Sequence, residues 1–366
     1  MTKVNRTLLS QVVPNGPALV RGRVAVLDRF THPERGPVRC PAAAALAADL
    51  GDRLGRGAAV TRGEVIEGTD SGSVTVCVTY LDRDGHAIGL AAAVRAHDYE
   101  AIDIVQQTVR AWAASMRTRR VLVADLPECM TGECPHHRMA HASVLDFTDR
   151  GDAIALIADR RRGRTGAAEL AEATRNAGGT AFIVTDPAEV PALDAEPDAL
   201  SFVIVPGIRV EAAMPILYAL RERFPRLRGQ HPDEYCYAES DLRESVRSVA
   251  EASERLLVVS ASAAEASDAA EVHGVPWHQL LDPAWLRPSH LAASTLGLIS
   301  TARAGAEGGD GVQPVLDLLA GLGPLSVRRR SVRTEPCPSA PTSADATDLR
   351  KYGVAPAPLA TLPGEV

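Results

Sequence analysis

The chain has 366 residues, enough for two or three compact units. Its 46% hydrophobic residues must build an aliphatic core, because only 4% of residues are aromatic. A net charge of -7 argues against nucleic acid as the main ligand, since phosphate backbones select basic surfaces. No run of about 20 apolar residues occurs, and Met1 to Gln11 lacks the charged-then-apolar build of a secretory signal, so a cytoplasmic protein with no membrane partner is expected.

In chain order, the first signal is Cys40, followed by Pro41 and an alanine-rich, helix-forming run. Ala58–Val60 is a weak strand-like run behind it. Val74–Tyr80 alternates as a strand and makes Cys77 a core residue. Apolar residues at helical spacing over Ala101–Met116 lead into the strand-like Val121–Ala124. Cys134 then precedes Pro135, with His136, His137 and His141 close behind. Ile154–Ile157 reads as a strand, Gly166–Asn176 as a helix and Ala181–Val184 as a strand. Cys236 opens a polar helical stretch that runs to Val246 and is followed by the apolar Leu256–Val259. Leu296–Ile299 and the helical Val312–Leu322 complete the pattern.

Strands alternating with helices predict α/β layers with largely parallel sheets. The cysteine, helix and strand recur at a period of roughly 100 residues, which suits three related modules rather than a solenoid. The predicted divisions are 20–128, 129–232 and 233–332, each an α/β module. The segment 333–366, rich in Pro, Ser, Thr and Ala, is expected to be a disordered tail.

The six cysteines are Cys40, Cys77, Cys129, Cys134, Cys236 and Cys337, too widely spaced for a zinc knuckle and without a Cys-x-x-Cys pair. Three of them precede helical stretches. A helix N-terminus presents free N–H groups and partial positive charge, which favours the thiolate that ligates metal. Three thiolates meeting at one centre leave one iron of a four-iron cube open to a substrate oxygen. The competing reading is three ordinary buried cysteines. Plain zinc binding lacks an evident fourth protein ligand.

The segment from Arg221 through Arg-Phe-Pro to Tyr235-Cys236-Tyr237-Ala238 resembles the 4-hydroxy-3-methylbut-2-enyl diphosphate reductase family around one of its cluster cysteines. Glu133-Cys134-Pro135, with His141 and the strand Asp152–Ile157, is similar to a second such region, and Arg39-Cys40 is a fainter third. The resemblance implies three pseudo-equivalent α/β modules in a trefoil around a central [4Fe-4S] cluster held by Cys40, Cys134 and Cys236. It also implies ferredoxin or flavodoxin as the electron donor.

The family's diphosphate-binding positions differ here. Glu67 stands at the first histidine, while His97 matches the second. Arg162 falls at another histidine, Arg164 at the proton-donating glutamate, Pro206-Gly207 at a threonine pair and Arg303 at a late serine. An arginine stays protonated and cannot readily donate a proton, but it binds anions. The expectation is therefore an iron–sulfur reductase of the reductive-dehydration type acting on a different small anionic substrate, contacted by His97, Arg162, Arg164 and Arg303. The alternatives are an authentic reductase releasing isopentenyl and dimethylallyl diphosphate, and a non-catalytic, redox-sensing or regulatory relative.

Overall fold

The computed structural model describes residues 8–14, 24–55, 60–64, 72–82, 84–125, 135–160, 164–259, 263–300 and 311–330. The chain divides into two compact units. One joins Met1–Glu128 to Ala238–Thr334, and the other is Cys129–Tyr237. The predicted tail at 333–366 lies outside the described residues.

The first unit opens with β1 (Leu9–Pro14), β2 (Val24–His32), β3 (Gly36–Arg39), α1 (Ala43–Leu54), β4 (Val60–Glu64), β5 (Ser73–Leu81), β6 (Ala87–Arg95) and α2 (Tyr99–Ala114). Its six strands form a mixed sheet in the order β1-β5-β6-β3-β2-β4. β5 and β6 pair antiparallel from Ser73↔Arg95 to Leu81↔Ala87. That long register needs a bare position at Gly89, where a Cβ would stand 2.2 Å from the Val78 carbonyl oxygen. β6 is alanine-rich and buried along its length, so α1 and α2 pack closely over the sheet. Trp112 of α2 is fully buried and donates its indole N–H to Asp49 of α1 at 2.8 Å.

The second unit contributes α3 (Pro135–Asp149), β8 (Ala153–Ile157), α4 (Arg164–Asn176), β9 (Ala181–Val184), β10 (Leu200–Ile204), α5 (Val210–Arg223) and β11 (Arg228–Gly229), numbered after β7 (Arg119–Asp125) of the first unit. Its sheet is wholly parallel, in the order β11-β10-β8-β9. Residues of β8 alternate between two cores. Ala155 and Ile157 pack with α5, whereas Ile154 and Leu156 pack with α3 and α4. A sheet covered on both faces explains why this region reads as short, continuous apolar runs.

The first unit resumes with α6 (Ala238–Glu251), β12 (Arg255–Val258), α7 (Ala264–His273), β13 (Trp277–Gln279), β14 (Thr295–Ser300), α8 (Gln313–Ala320) and β15 (Leu325–Arg329). These strands take β7 into a five-stranded parallel sheet, β13-β12-β14-β7-β15. Val121 and Val123 join the large core shared with α1, α2 and the mixed sheet, while Leu122 and Ala124 face α6 and α7. The chain thus adopts the α/β class read from its sequence, with two of its three sheets fully parallel. The first sheet departs from the others in being mixed. No helix among the described residues is long and apolar enough to cross a membrane.

One polar cluster in this unit carries a pH dependence. The rings of His278 and His290 lie 4.1 Å apart. Each accepts a hydrogen bond, His278 from the Arg255 guanidinium at 2.9 Å and His290 from the Arg287 backbone N–H at 3.2 Å. Burial first, then His278 and the two arginines, lower the pKa of His290 to about 4. Burial and Arg255 lower that of His278 as well. Between the ordinary histidine value near 6.5 and about 4, the unfolded chain therefore binds more protons than the folded one. Stability from this pair is fully present above that window and is lost as pH falls through it. Because both histidines are only partly buried, screening reduces the effect to about 1 kcal/mol. Urea unfolding across this range should show a shallower pH dependence in His290→Asn than in the unaltered chain. Identical pH slopes would refute the assignment.

Candidate functional site

Cys40 follows β3 and precedes α1 by a short turn. Its backbone N–H donates to the Asp28 carbonyl at 2.8 Å, and its own carbonyl accepts from the Ala43 N–H at 3.0 Å. The residue at the N-cap is Ala42, which provides no side-chain cap. Cys40 is 3% exposed. Burial, with Asp28 and Cys77 nearby, raises its thiol pKa far above the ordinary value, while a backbone hydrogen bond from Ala91 works in the opposite direction. That amide is the kind of donor that stabilises cluster sulfurs. Cys77 on β5 is also buried, and its sulfur lies 3.7 Å from the Gln11 carbonyl oxygen. Burial pushes the Cys77 thiol up to about 11.

In the second unit, Cys236 lies between a short 3-10 turn, Pro232–Glu234, and the start of α6. It too is 3% exposed. His231 fixes the turn by accepting from the Asp233 N–H, and Glu234 reaches back to the His231 N–H. The turn packs against α3, the helix that begins at Pro135 immediately after Cys134. Cys134 itself, like Cys129 and Cys337, lies outside the described residues. Thiols are the donor type that an iron–sulfur group takes. Two buried cysteines each lead into a helix, and the turn that carries one packs on the helix that follows the third.

The parallel sheet of this unit has a topological switch point. From β8 the chain moves to β9 on one side and then returns to β10 on the other, which opens a crevice beyond the carboxyl ends of β8 and β10. Residues 158–160 follow β8 there, and Pro206-Gly207 follow β10. Gly207 has φ +91°, a left-handed conformation that suits glycine. Both segments were picked out from sequence as substrate positions. Arg162 lies outside the described residues, and Arg164 is the first residue of α4.

Beside them is a cleft of about 240 Å³ lined by Ala158, Asp159, Arg160, Thr185, Ile208 and Ala212. Arg160 lies 3.6 Å from both the Asp186 and Glu189 carboxylates and donates to the Thr185 hydroxyl at 3.3 Å. The Thr185 backbone N–H foremost holds Glu189 below the usual carboxylate range. The Arg160 charge is therefore answered locally, a fact that its run of neighbouring arginines conceals.

Sequence reasoning missed two polar groups. Gln230 is 4% exposed, and its side-chain oxygen accepts from the Ile204 N–H at 3.0 Å. This fixes the amide orientation and leaves the Gln230 NH2 without a hydrogen-bond partner among the described residues. In the first unit, Ser300 closes β14 at the carboxyl end of the other parallel sheet. Its buried hydroxyl likewise lacks a partner among the described residues. A buried polar group left so costs on the order of 1–3 kcal/mol, which a bound polar ligand offsets. Gln230 falls within the Arg221–Ala238 segment but nothing in that segment marks it as a site residue, and Ser300 belongs to no motif.

His97 is exposed in the turn beyond β6, where the neighbouring Asp98 caps α2. At least four strand residues, roughly 13 Å, separate it from Ala91, the Cys40 neighbour. The structure therefore does not bring His97 and Cys40 together. Arg303 and Glu67 lie outside the described residues. One tight group of possible metal donors among the described residues is Asp82, Asp84 and His86, in the β5–β6 turn. There Asp82 already accepts the Asp84 and His86 backbone N–H groups at 2.9 and 2.8 Å, which makes it a turn former.

No protein-family profile matches the chain. Among curated proteins, the 4-hydroxy-3-methylbut-2-enyl diphosphate reductase of Chromohalobacter salexigens is 30% identical over 182 residues, covering 47% of this chain and 56% of that protein. Reductase 2 of the same name from Mycobacterium bovis is 29% identical over 209 residues, covering 55% and 61%. The chain thus spans less than two thirds of the length of these relatives. Among solved structures, the E-1-hydroxy-2-methyl-but-2-enyl-4-diphosphate reductase from Plasmodium falciparum aligns with a TM-score of 0.42 and 16% identity, over 60% of this chain and 73% of that one.

Proposed function

We propose that the chain, which is similar over about half its length to 4-hydroxy-3-methylbut-2-enyl diphosphate reductases, is an iron–sulfur oxidoreductase with an altered substrate pocket. In this reading Cys40, Cys134 and Cys236 hold one [4Fe-4S] cluster, and the substrate is a small anion. The observation that carries it is the packing of the Pro232–Glu234 turn, which leads to Cys236, against the helix that Cys134 precedes. Such a cluster would supply single electrons and Lewis-acid chemistry to a substrate held beside it.

The chain's own residues do the rest. Burial of Cys40 and Cys236 keeps water from their sulfurs. Gln230, through its unpartnered NH2, binds an acceptor oxygen at the carboxyl end of the parallel sheet. Arg162 and Arg164 are the proposed anion contacts, while Arg160 is tied to its neighbouring carboxylates. His97 and Arg303 stay in the proposal as further substrate contacts. A ferredoxin or flavodoxin supplies the electrons.

The substitution of Arg164 at the family's glutamate disfavours the family's own reaction, since the position no longer offers a proton. The test is iron and acid-labile sulfide analysis, with electron paramagnetic resonance, on full-length protein purified without oxygen. About four irons per chain, and a spectrum that shifts on adding small phosphorylated anions, are expected. No iron after reconstitution would reject the proposal. Release of isopentenyl or dimethylallyl diphosphate on reduction would restore the family's activity in place of the altered one.

A further inference from the structure

In the second unit, α3 and α4 line an open groove of about 520 Å³, with His141, Leu145, Glu169, Glu172, Ala173 and Asn176 in its walls. His137 is not among the residues that line it but lies one helical turn before His141, so both residues fall on the same side of α3. The His137 side chain is 9% exposed, with its Nε2 3.5 Å from the Glu169 Oε2 on α4. Gly166 lies beside the ring, where a Cβ would meet the His137 Cε1 at 3.9 Å and Val205 at 3.4 Å, both ordinary van der Waals distances.

We propose that this groove binds a divalent transition ion of the zinc type through His137 Nε2, the Glu169 carboxylate and an imidazole nitrogen of His141. Three features support it. Two histidines spaced i and i+4 on one helix face are an arrangement that holds zinc. Imidazole plus carboxylate is a donor set that suits borderline ions, with a water in the fourth position. The third feature is the separation. Zinc bonds of about 2.0–2.1 Å to nitrogen and oxygen place neighbouring ligand atoms of a tetrahedron roughly 3.3 Å apart. The 3.5 Å between His137 and Glu169 is already close to that edge and longer than a charge-assisted hydrogen bond. His141 is exposed and completes the set by side-chain rotation, while Glu172 adds negative charge to the wall. The site uses none of the cysteines and does not depend on the cluster.

The test is titration of the iron-free, reduced, full-length chain with Co2+, followed by visible absorption. Any ion taken by cysteine announces itself through a sulfur-to-cobalt charge-transfer band, so a site of nitrogen and oxygen donors is recognised by the lack of one. One equivalent without that band is expected, and its affinity should fall at least about 100-fold in His141→Ala and in Glu169→Gln. His141 is on the surface, so its variant should fold normally, as circular dichroism would confirm. Absence of the sulfur-free equivalent, or unchanged affinity in both variants, would overturn the proposal.

Discussion

Full-length Cys236→Ser protein, purified without oxygen, is expected to lose most of its iron, and Cys40→Ser and Cys134→Ser are expected to do the same. Serine keeps the size of the side chain but replaces a thiolate with a hydroxyl, a poor ligand for cluster iron. Buried cysteines also contribute as small hydrophobic residues, so lost iron alone would not separate ligation from packing. Cys77 provides the control, because it is as buried as Cys40 and close to it, yet lies outside the proposed ligand set. Cys77→Ser should retain about four irons per chain while losing about as much stability as Cys40→Ser. Equal iron loss in Cys77→Ser would make the cysteine pattern one of core packing and remove the basis for the cluster.

The second large effect concerns stability. Arg119 at the start of β7 is 1% exposed. Its guanidinium donates to the Ser115 carbonyl just past α2, to Leu291 at 3.2 Å and to Arg117 at 3.4 Å. The cation thus binds the carbonyl end of α2, where the helix dipole favours positive charge, and ties it to a segment far along the chain. Burial lowers its pKa to about 10, still well above neutrality. Arg119→Met fills much of the volume but leaves the Ser115 and Leu291 carbonyls buried without donors. At about 1–3 kcal/mol for each unsatisfied group, less the relief of desolvating the cation, the net loss should be about 2–4 kcal/mol. The first unit's thermal midpoint should fall by roughly 8 °C. A shift within 1–2 °C, of the order of measurement error, would show that the guanidinium desolvation cancels its hydrogen bonds.

Much of the fold was legible because buried parallel strands declare themselves as short apolar runs. Ile154–Ile157, Ala181–Val184 and Leu296–Ile299 each fall within a strand, and Ala101–Met116 overlaps α2 nearly throughout. What the runs do not specify is a partner. Val121–Ala124 is buried on both faces, and an apolar run of that kind pairs equally well with any parallel neighbour. It joins β14 and β15 rather than the strands that precede it. The mixed character of the first sheet was hidden in part for a related reason, since two of its antiparallel pairs, β1 with β5 and β2 with β6, join distant segments. At the candidate site, local sequence showed cysteines before helices. It did not show that Arg160 is answered by Asp186 and Glu189, because those carboxylates lie on a different loop. The orphaned groups of Gln230 and Ser300 depend on strand ends meeting in space and leave no mark in the sequence.

The course of β7 has a consequence for synthesis. The ribosome releases this strand early, but the neighbour that covers one of its edges, β14, emerges almost half a chain length later. All of Cys129–Tyr237 is made in between. The intervening unit has its own sheet and two cores, so it can fold as it emerges, while β7 waits with both hydrogen-bonding edges bare. A nascent chain arrested before β14 should therefore contain a finished middle and an unfinished beginning, exposed to chaperones or aggregation until the last third of the protein arrives.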